Sequence, residues 1–336
     1  MGRKLVLIGL VLMITLSLWA AGQPELKKVS FPEKTIEIYV GFAAGGGTDI
    51  LARQLARNME PVLGKSVVIV NKNGGGGLIA LKEMAVKPAD GYTLGLLLGN
   101  QFLQKYYKGS DTWIDPMTEV TLLGVFNQDP WGIAVKADAP FNNITEFIEY
   151  AKKNPGLRVG AGSPGTLYYW TWEALMEAAG IKLTIVPFGG TALSLTALAG
   201  GELSAAGASP SEADSLVSAK LVKMIGVSSE ERLAAFPNVR TFREDGFDLV
   251  IGPWRALVGP KGMPTEIVKI LEKAVRDAYY SDAFQTFIKE QGFGPLYLDT
   301  VEGFEFFKQE DTFFREIMKK SGELRGRNVD GFANTV

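Results

Sequence analysis

The 336-residue chain contains no cysteine and no histidine. Without cysteine there can be no disulfide framework, thiolate nucleophile, zinc finger or iron–sulfur ligand set. Without histidine there is no Ser-His-Asp triad, no imidazole base and no H-E-x-x-H metal site. Any catalysis would have to run on carboxylates, lysine, tyrosine or the substrate itself. The chain also lacks an excess of charge: 35 basic residues face 37 acidic ones, a formal charge of −2. That balance speaks against the broad basic surface of a nucleic-acid binder. Past the N-terminus, no apolar run approaches the length of a membrane span. No cofactor and no metal are expected. The composition favours a binding protein over a catalyst.

What is present points outward from the cytoplasm. Arg3 and Lys4 form a positive start, and Leu5 to Trp19 is a mainly apolar stretch. At 15 residues it falls short of the roughly 20 needed to span a bilayer. Ala20-Ala21-Gly22 then puts small residues at the −3 and −1 positions of a cut after Gly22. These are the three parts of a cleavable signal peptide, here residues 1–22. Its removal would take the formal charge from −2 to −4, because the segment carries Arg3 and Lys4 and no acid. The expected location is the periplasm, as a soluble monomer.

The remainder, drawn from a chain that is 46% hydrophobic, is long enough for two domain cores. Ile36 to Phe42 is a short β-rich run ended by glycines. Thr48 or Asp49 then starts a helix with an apolar stripe at Leu51, Leu55, Met59 and Leu63, which Gly64 stops. Strands at 67–71 and 92–98 alternate with a helix at 78–87. A second such set follows, with strands at 132–136, 157–161, 182–188, 203–208 and 221–227 and helices between them. Long helical segments close the chain from Pro264. Such alternation predicts parallel pairing and α/β sheets. Val120 to Pro130 and Phe247 to Val258 read as extended crossings between two lobes. The expected division is 30–125 plus 252–325 as lobe 1, 126–251 as lobe 2, and a frayed tail at 326–336.

Glycine-rich loops stand where strands end and helices begin. The first is Phe42-Ala43-Ala44-Gly45-Gly46-Gly47-Thr48-Asp49. Ligands of open α/β sheets bind beyond the carboxyl ends of strands, where helix N-termini offer N–H donors to anions. A second loop holds Asn73; Gly99 and Asn100 end the third strand; and further loops hold Ser163, Gly165 and Thr166, then Phe188 and Thr191, and last Ser209. One such loop is explained by turn geometry and capping alone. Five of one character, in two lobes, point to binding.

Nucleotide readings fail on particular residues. Gly41 to Gly46 has P-loop spacing, but Gly47 stands where the phosphate-binding lysine must be. Gly45 and Gly47 begin a Rossmann fingerprint, but Ile50 occupies its third glycine and the next strand ends in Asn71 rather than an acid. Ser163 has no histidine to activate it, and no S-x-x-K occurs. Asp49 can be read as contacting a ligand ammonium or as capping its helix. Arg255 can be read as a bidentate partner of a ligand carboxylate or as a hinge salt bridge. Tyr168 and Tyr169 divide between cleft and core, and Trp131 reads as a core aromatic or a cleft wall.

These motifs, in this order, resemble the solute-binding proteins of tripartite tricarboxylate transporters, the Bug-type family. The resemblance rests on P-x-K-x-I from Pro32, GFAAGGGTDILAR, VVIVNKNGGGG, KPADGYTL, GAGSPGT, VPFGGTAL followed by GGEL, and PWRALVGPKGMP. It implies a two-lobed type II periplasmic-binding fold that closes on a small organic carboxylate. It also implies delivery to one large and one small membrane subunit. By the same resemblance the ligand carboxylate is held by Phe42, Ala43, Gly46, Gly47, Thr48 and Asp49. Opposite them would stand Ser163, Gly165, Thr166, Phe188 and Thr191. Leu167-Tyr168-Tyr169 departs from relatives that carry histidine there. An extracytoplasmic sensor for a membrane kinase is the alternative within binding. A secreted enzyme using Asp49 and Lys72 is the rival outside it.

Overall fold

The computed structural model describes residues 30–108, 114–162, 164 and 166–324. The expected signal peptide at 1–22, the expected tail at 326–336, Ser163 and Gly165 lie outside the described residues. Contacts divide the chain into a unit ending at Phe31 and a body from Pro32 onward. All elements named below belong to the body.

The first sheet contains β1 (Ile36–Val40), β2 (Val67–Asn71), β3 (Thr93–Leu98), β4 (Val120–Gln128) and β10 (Trp254–Pro260), in the order β2-β1-β3-β10-β4. The second contains β5 (Gly132–Lys136), β6 (Leu157–Ala161), β7 (Leu183–Pro187), β8 (Ala205–Ala208) and β9 (Val222–Val227), in the order β7-β6-β8-β5-β9. The two plans match. In each sheet three strands run parallel through helical crossovers, with β1 beside β2 and β3, and β6 beside β7 and β8.

The expectation of purely parallel pairing is corrected by one strand in each sheet. β10 runs antiparallel to β3 and β4, and β5 antiparallel to β8 and β9. Each is the strand that directly follows a crossing between sheets. A chain arriving there enters at the strand ends of the new sheet and must run back along it. The carboxyl ends of the parallel strands and the entry points of β5 and β10 therefore gather at one end of each sheet.

The helices form where the apolar spacing places them. In α1 (Gly47–Leu63), Leu51, Leu55, Met59 and Leu63 are buried, and Gly64 ends the helix in a left-handed turn with φ 67°. Next come α2 (Leu78–Ala85), α3 (Gly99–Tyr106), α4 (Ile144–Lys153), α5 (Leu167–Ala179), α6 (Thr191–Ala199) and α7 (Pro210–Ser218). The chain finishes with α8 (Thr265–Tyr279), α9 (Asp282–Gln291) and α10 (Thr300–Lys320). Asn143 caps α4 by accepting the Glu146 N–H at 2.8 Å, as the Asn143–Glu146 spacing predicts. The C-terminal helices return to the first sheet: α8 packs on α1 and β4, and α10 on α3 and β4. Phe102, Trp254, Phe307 and Phe314 fill the space beneath.

Two segments depart from the sequence reading. Residues 99–101 do not merely end β3; they open α3, because Phe102, Leu103 and Tyr106 bury one helical face. Val120 to Gln128 is an edge strand, with two register shifts against β10, rather than a bare connection. Beyond it the two crossings lie side by side. The Asp129 N–H donates to Pro253 O at 2.8 Å, and the Trp131 N–H to Ile251 O at 3.1 Å. A Cβ at Gly252 would fall 1.7 Å from Asp129 O, and one at Gly294 1.9 Å from Gln128 O. Only glycine lets three backbone segments meet so closely.

Candidate functional site

The first loop begins where β1 ends and is braced from below. Asp49 is buried, and its Oδ2 accepts the Gly45 N–H at 2.9 Å and Arg53 Nε at 3.0 Å. Its Oδ1 accepts Asn71 Nδ2 at 2.8 Å and lies 2.9 Å from an Arg53 terminal nitrogen. Burial alone would raise the Asp49 pKa. The hydrogen bonds from Arg53, the Gly45 amide and Asn71 outweigh it and hold the carboxyl below the usual aspartate range.

Asp49 therefore ties the loop to α1 and β2, and neither it nor Thr48 is the helix cap. The cap position is Gly46, which has no side chain to offer, and the first turn opens with Ile50 N–H donating to Gly46 O at 3.0 Å. The amides of Gly47, Thr48 and Asp49 are left with no capping side chain among the described residues. They form a ready anion cradle.

Arg255 lies beneath the same loop with its side chain 2% exposed. Its Nε donates to Thr48 Oγ1 at 3.0 Å, and its Nη1 meets Asp129 Oδ2 at 2.6 Å and also Asn127 Oδ1. Asp129 Oδ1 accepts Asn127 Nδ2 and the Gly294 N–H, both at 2.8 Å. The hinge reading of Arg255 thus has its partners: the guanidinium joins the crossing to the first turn of α1.

The other expected residues fall as follows. The Phe42 carbonyl accepts Asn71 Nδ2 at 3.0 Å, while Ala43 is exposed at the loop tip. Asn73 is exposed in the second glycine loop, which is held by Gln101 and Gln104, each donating at 2.9 Å to Gly76 O and Gly75 O. Gly99 packs under Trp254 and Phe314, so it supports the core. Asn100 Oδ1 accepts the Leu167 N–H at 3.0 Å, joining α3 of the first sheet to the start of α5 in the second. Thr166 holds the cap position of α5. Tyr168 OH donates to Glu212 at 2.7 Å, whereas Tyr169 packs on Trp170. Trp131 is fully buried against Trp172 and Phe242, which makes it core.

Ser209 is buried at the cap of α7, with Oγ 3.1 Å from Glu212 Oε2. Phe188 packs on the core beneath α6, and Thr191 opens that helix. The loop starting α1 and the loop starting α7 face each other: a Cβ on Gly47 would stand 3.5 Å from Glu212 Cγ and 3.9 Å from Arg255 Nη2.

Glu212, Asp129 and Asn127 were missed by sequence reasoning. Glu212 had a visible signal, the Ser209-x-x-Glu212 capping box. Asp129 and Asn127 had none, because only the crossing brings them to Arg255. Among the described residues no group of acidic side chains is gathered for a metal ion. Burial and the neighbouring Glu212 charge push the Tyr168 pKa well up, so its hydroxyl remains a donor.

Two α/β sheets of one plan, with loops and open helix ends meeting across a cleft, define a two-lobed solute-binding protein. The solved periplasmic binding protein BugD is 30% identical, with a TM-score of 0.80 over 88% of this chain and 100% of its own. An R. palustris protein solved with adipate is 26% identical, with a TM-score of 0.81 over 88% of this chain and 100% of its own. A UPF0065 protein of Bordetella pertussis is 34% identical over 270 residues, 79% of this chain and 83% of its own. Residues 51–323 match the tripartite tricarboxylate transporter family receptor, and the chain belongs to that family.

Proposed function

We propose that the protein captures a small organic carboxylate between its lobes and delivers it to the membrane subunits of a tripartite transporter. The observation that supports this reading is the uncapped first turn of α1, which starts at Gly47 beside Glu212 of the second lobe. The N–H donors of such a turn favour an anion by roughly 0.3–2 kcal/mol, and exclusion of water on closure strengthens them. The adipate bound to the R. palustris relative is a carboxylate of the expected size.

The ligand contacts in this reading are Phe42, Ala43, Gly46, Gly47 and Thr48 on one side. Thr166, Tyr168, Phe188, Thr191 and Ser209 belong to the other side, and Ser163 and Gly165, which lie outside the described residues, are expected with them. Asn73 and Asn100 stand at the rim, and Asp49, Gly99 and Arg255 act from beneath. The closing bodies in this reading are 30–125 with 252–325, and 126–251; the run of β4 to Gln128 supports counting 126–128 with the first. Delivery is to one large and one small membrane subunit by a monomeric receptor, released from its signal peptide after Gly22.

The test is a thermal-shift and calorimetry screen of mono-, di- and tricarboxylates against their amides. One ligand per chain should stabilise the fold by about 2.7 kcal/mol at a hundredfold excess over Kd, with no chemical change to the ligand. Equal stabilisation by the neutral amides would defeat the carboxylate assignment. Product accumulating with time would defeat the receptor assignment. N-terminal sequencing of the exported protein checks the cut after Gly22.

A further inference from the structure

Away from the crossings, α3 of the first sheet packs on α5 of the second. Asn100 and Tyr107 are about two helical turns apart, so they stand on one side of α3. Leu167 and Trp170, about one turn apart, stand on one side of α5. These two faces meet. Asn100 Oδ1 accepts the Leu167 N–H at 3.0 Å, and the Tyr107 ring meets the Trp170 ring edge-on with centroids 5.8 Å apart. Leu167 and Trp170 are buried, and the Trp170 indole N–H donates to Pro164 O in the loop before α5.

Charge fixes α3 to its own lobe. The buried Lys105 places its Nζ 3.0 Å from Asp115 Oδ1 and 2.9 Å from Asp311 Oδ1, and Tyr106 OH donates to Asp311 Oδ2 at 2.6 Å. The Lys108 N–H donates to Glu323 O at 2.8 Å just past α10. Separating a buried pair leaves a charge unmatched, so α3 stays with the first lobe and cannot follow α5. The start of α5, in turn, is not capped from its own lobe. Thr166 holds the cap position without a capping side-chain bond, and a Cβ on Gly162 would fall 2.3 Å from Thr166 Oγ1, so the hydroxyl is turned back on the strand end. The acceptor for the first turn of α5 comes from the opposite lobe.

We propose that Asn100 is a latch between the lobes: it caps α5 only while the lobes are together and, with Tyr107 on Trp170, biases the empty protein towards its closed form. When the lobes part, the Leu167 N–H is handed to water and the cap is lost. A bond made in one state only shifts the open–closed balance, and affinity with it, without touching the ligand. The inference rests on the reading that the lobes close and is independent of which ligand they hold.

Small-angle scattering and hydrogen exchange on the empty exported protein test it. Asn100→Ala should raise the radius of gyration and speed exchange of the Leu167 amide by about three- to tenfold, within the range of a lost helix cap. Asn100→Ala combined with Tyr107→Ala should open the protein further. Asn100→Asp keeps an acceptor at the helix N-terminus, so it should remain as compact and as protected as the wild type.

An Asn100→Ala scattering curve that superposes on the wild-type curve would overturn the latch even if Leu167 exchanged faster, because a lost cap can fray a helix without moving a lobe. Equal opening by Asn100→Ala and Asn100→Asp would overturn it as well. Failure of every carboxylate to bind would defeat the function proposed above and leave these measurements on the empty protein to decide the latch.

Discussion

Arg255 Nη1 and Asp129 Oδ2 meet at 2.6 Å, and both side chains are withdrawn from solvent at the point where the chain crosses between its two sheets. The pair is tied on one side to Thr48 in the first turn of α1 and on the other to Gly294. Removing one partner of such a pair leaves a buried charge unmatched. Arg255→Ala should therefore cost about 3–5 kcal/mol in denaturant unfolding. Arg255→Lys should recover only part of this, because lysine lacks the planar fork that reaches Thr48 and Asp129 together. Ligand affinity should fall with stability as the first loop loses its support. A wild-type unfolding midpoint in Arg255→Ala would refute the bracing role.

Asp49 gives the first loop an acid limit. Its folded pKa is held below the ordinary aspartate value, so its contribution to stability is complete above that value. The contribution fades as pH falls through the lowered folded value. Asp49→Asn should thus destabilise the protein at pH 7 and flatten the acid side of its stability profile. Urea titrations from pH 3 to pH 7 measure this. Parallel profiles for variant and wild type would argue against it.

Glu310 sets the opposite slope. Burial pushes its pKa up to about 7, against the lowering effect of the Trp254 Nε1–H, which donates to Oε2 at 2.5 Å. A group whose folded pKa is raised contributes fully below its unfolded value, near 4.5, and loses that contribution as pH rises through about 7. Glu310→Gln should gain about 1–3 kcal/mol over the wild type at pH 8 and little at pH 4. Melting curves across that range decide it, and an equal effect at both pH values would contradict the assignment.

Gly47 is the clearance between the lobes. A single methyl there meets Glu212 Cγ at 3.5 Å and Phe293 at 3.9 Å, which are ordinary contacts, so Gly47→Ala should fold and bind. The extra methyls of Gly47→Val must displace Glu212 or hold the lobes apart. Affinity should drop by about tenfold or more, a loss of 1.4 kcal/mol, with the empty protein melting nearly as before. Scattering with and without ligand would show reduced compaction. Unimpaired binding by Gly47→Val would remove this contact from the closing surface.

Most of the elements were legible because they obey local rules. The stripe Leu51-Leu55-Met59-Leu63 can bury only as a helix, and Gly64 can end it because it accepts a positive φ. The Asn143–Glu146 spacing is a cap wherever a helix follows it. The glycine loops were legible as strand-to-helix turns for the same reason: such turns place their amides at sheet ends whatever the rest of the fold does. Helix α3 was hidden behind the glycine that opens it. The antiparallel course of β5 and β10 was also hidden, because strand direction depends on where a crossing arrives.

By itself, the sequence excluded histidine, cysteine and dinucleotide chemistry and assigned two α/β halves with glycine-rich mouths. It could not say which partner each charged side chain takes. Asp49 and Arg255 each allowed a ligand role and a structural one, and packing alone set Arg53 and Asn71 against the first and Asp129, Asn127 and Thr48 against the second. Tertiary structure likewise brought Tyr168 and Glu212, 44 positions apart, onto one hydrogen bond facing Gly47. Spacing along a chain governs contacts within one helix or strand. The charge of a cleft is decided by residues far apart in sequence that only the folded chain makes neighbours.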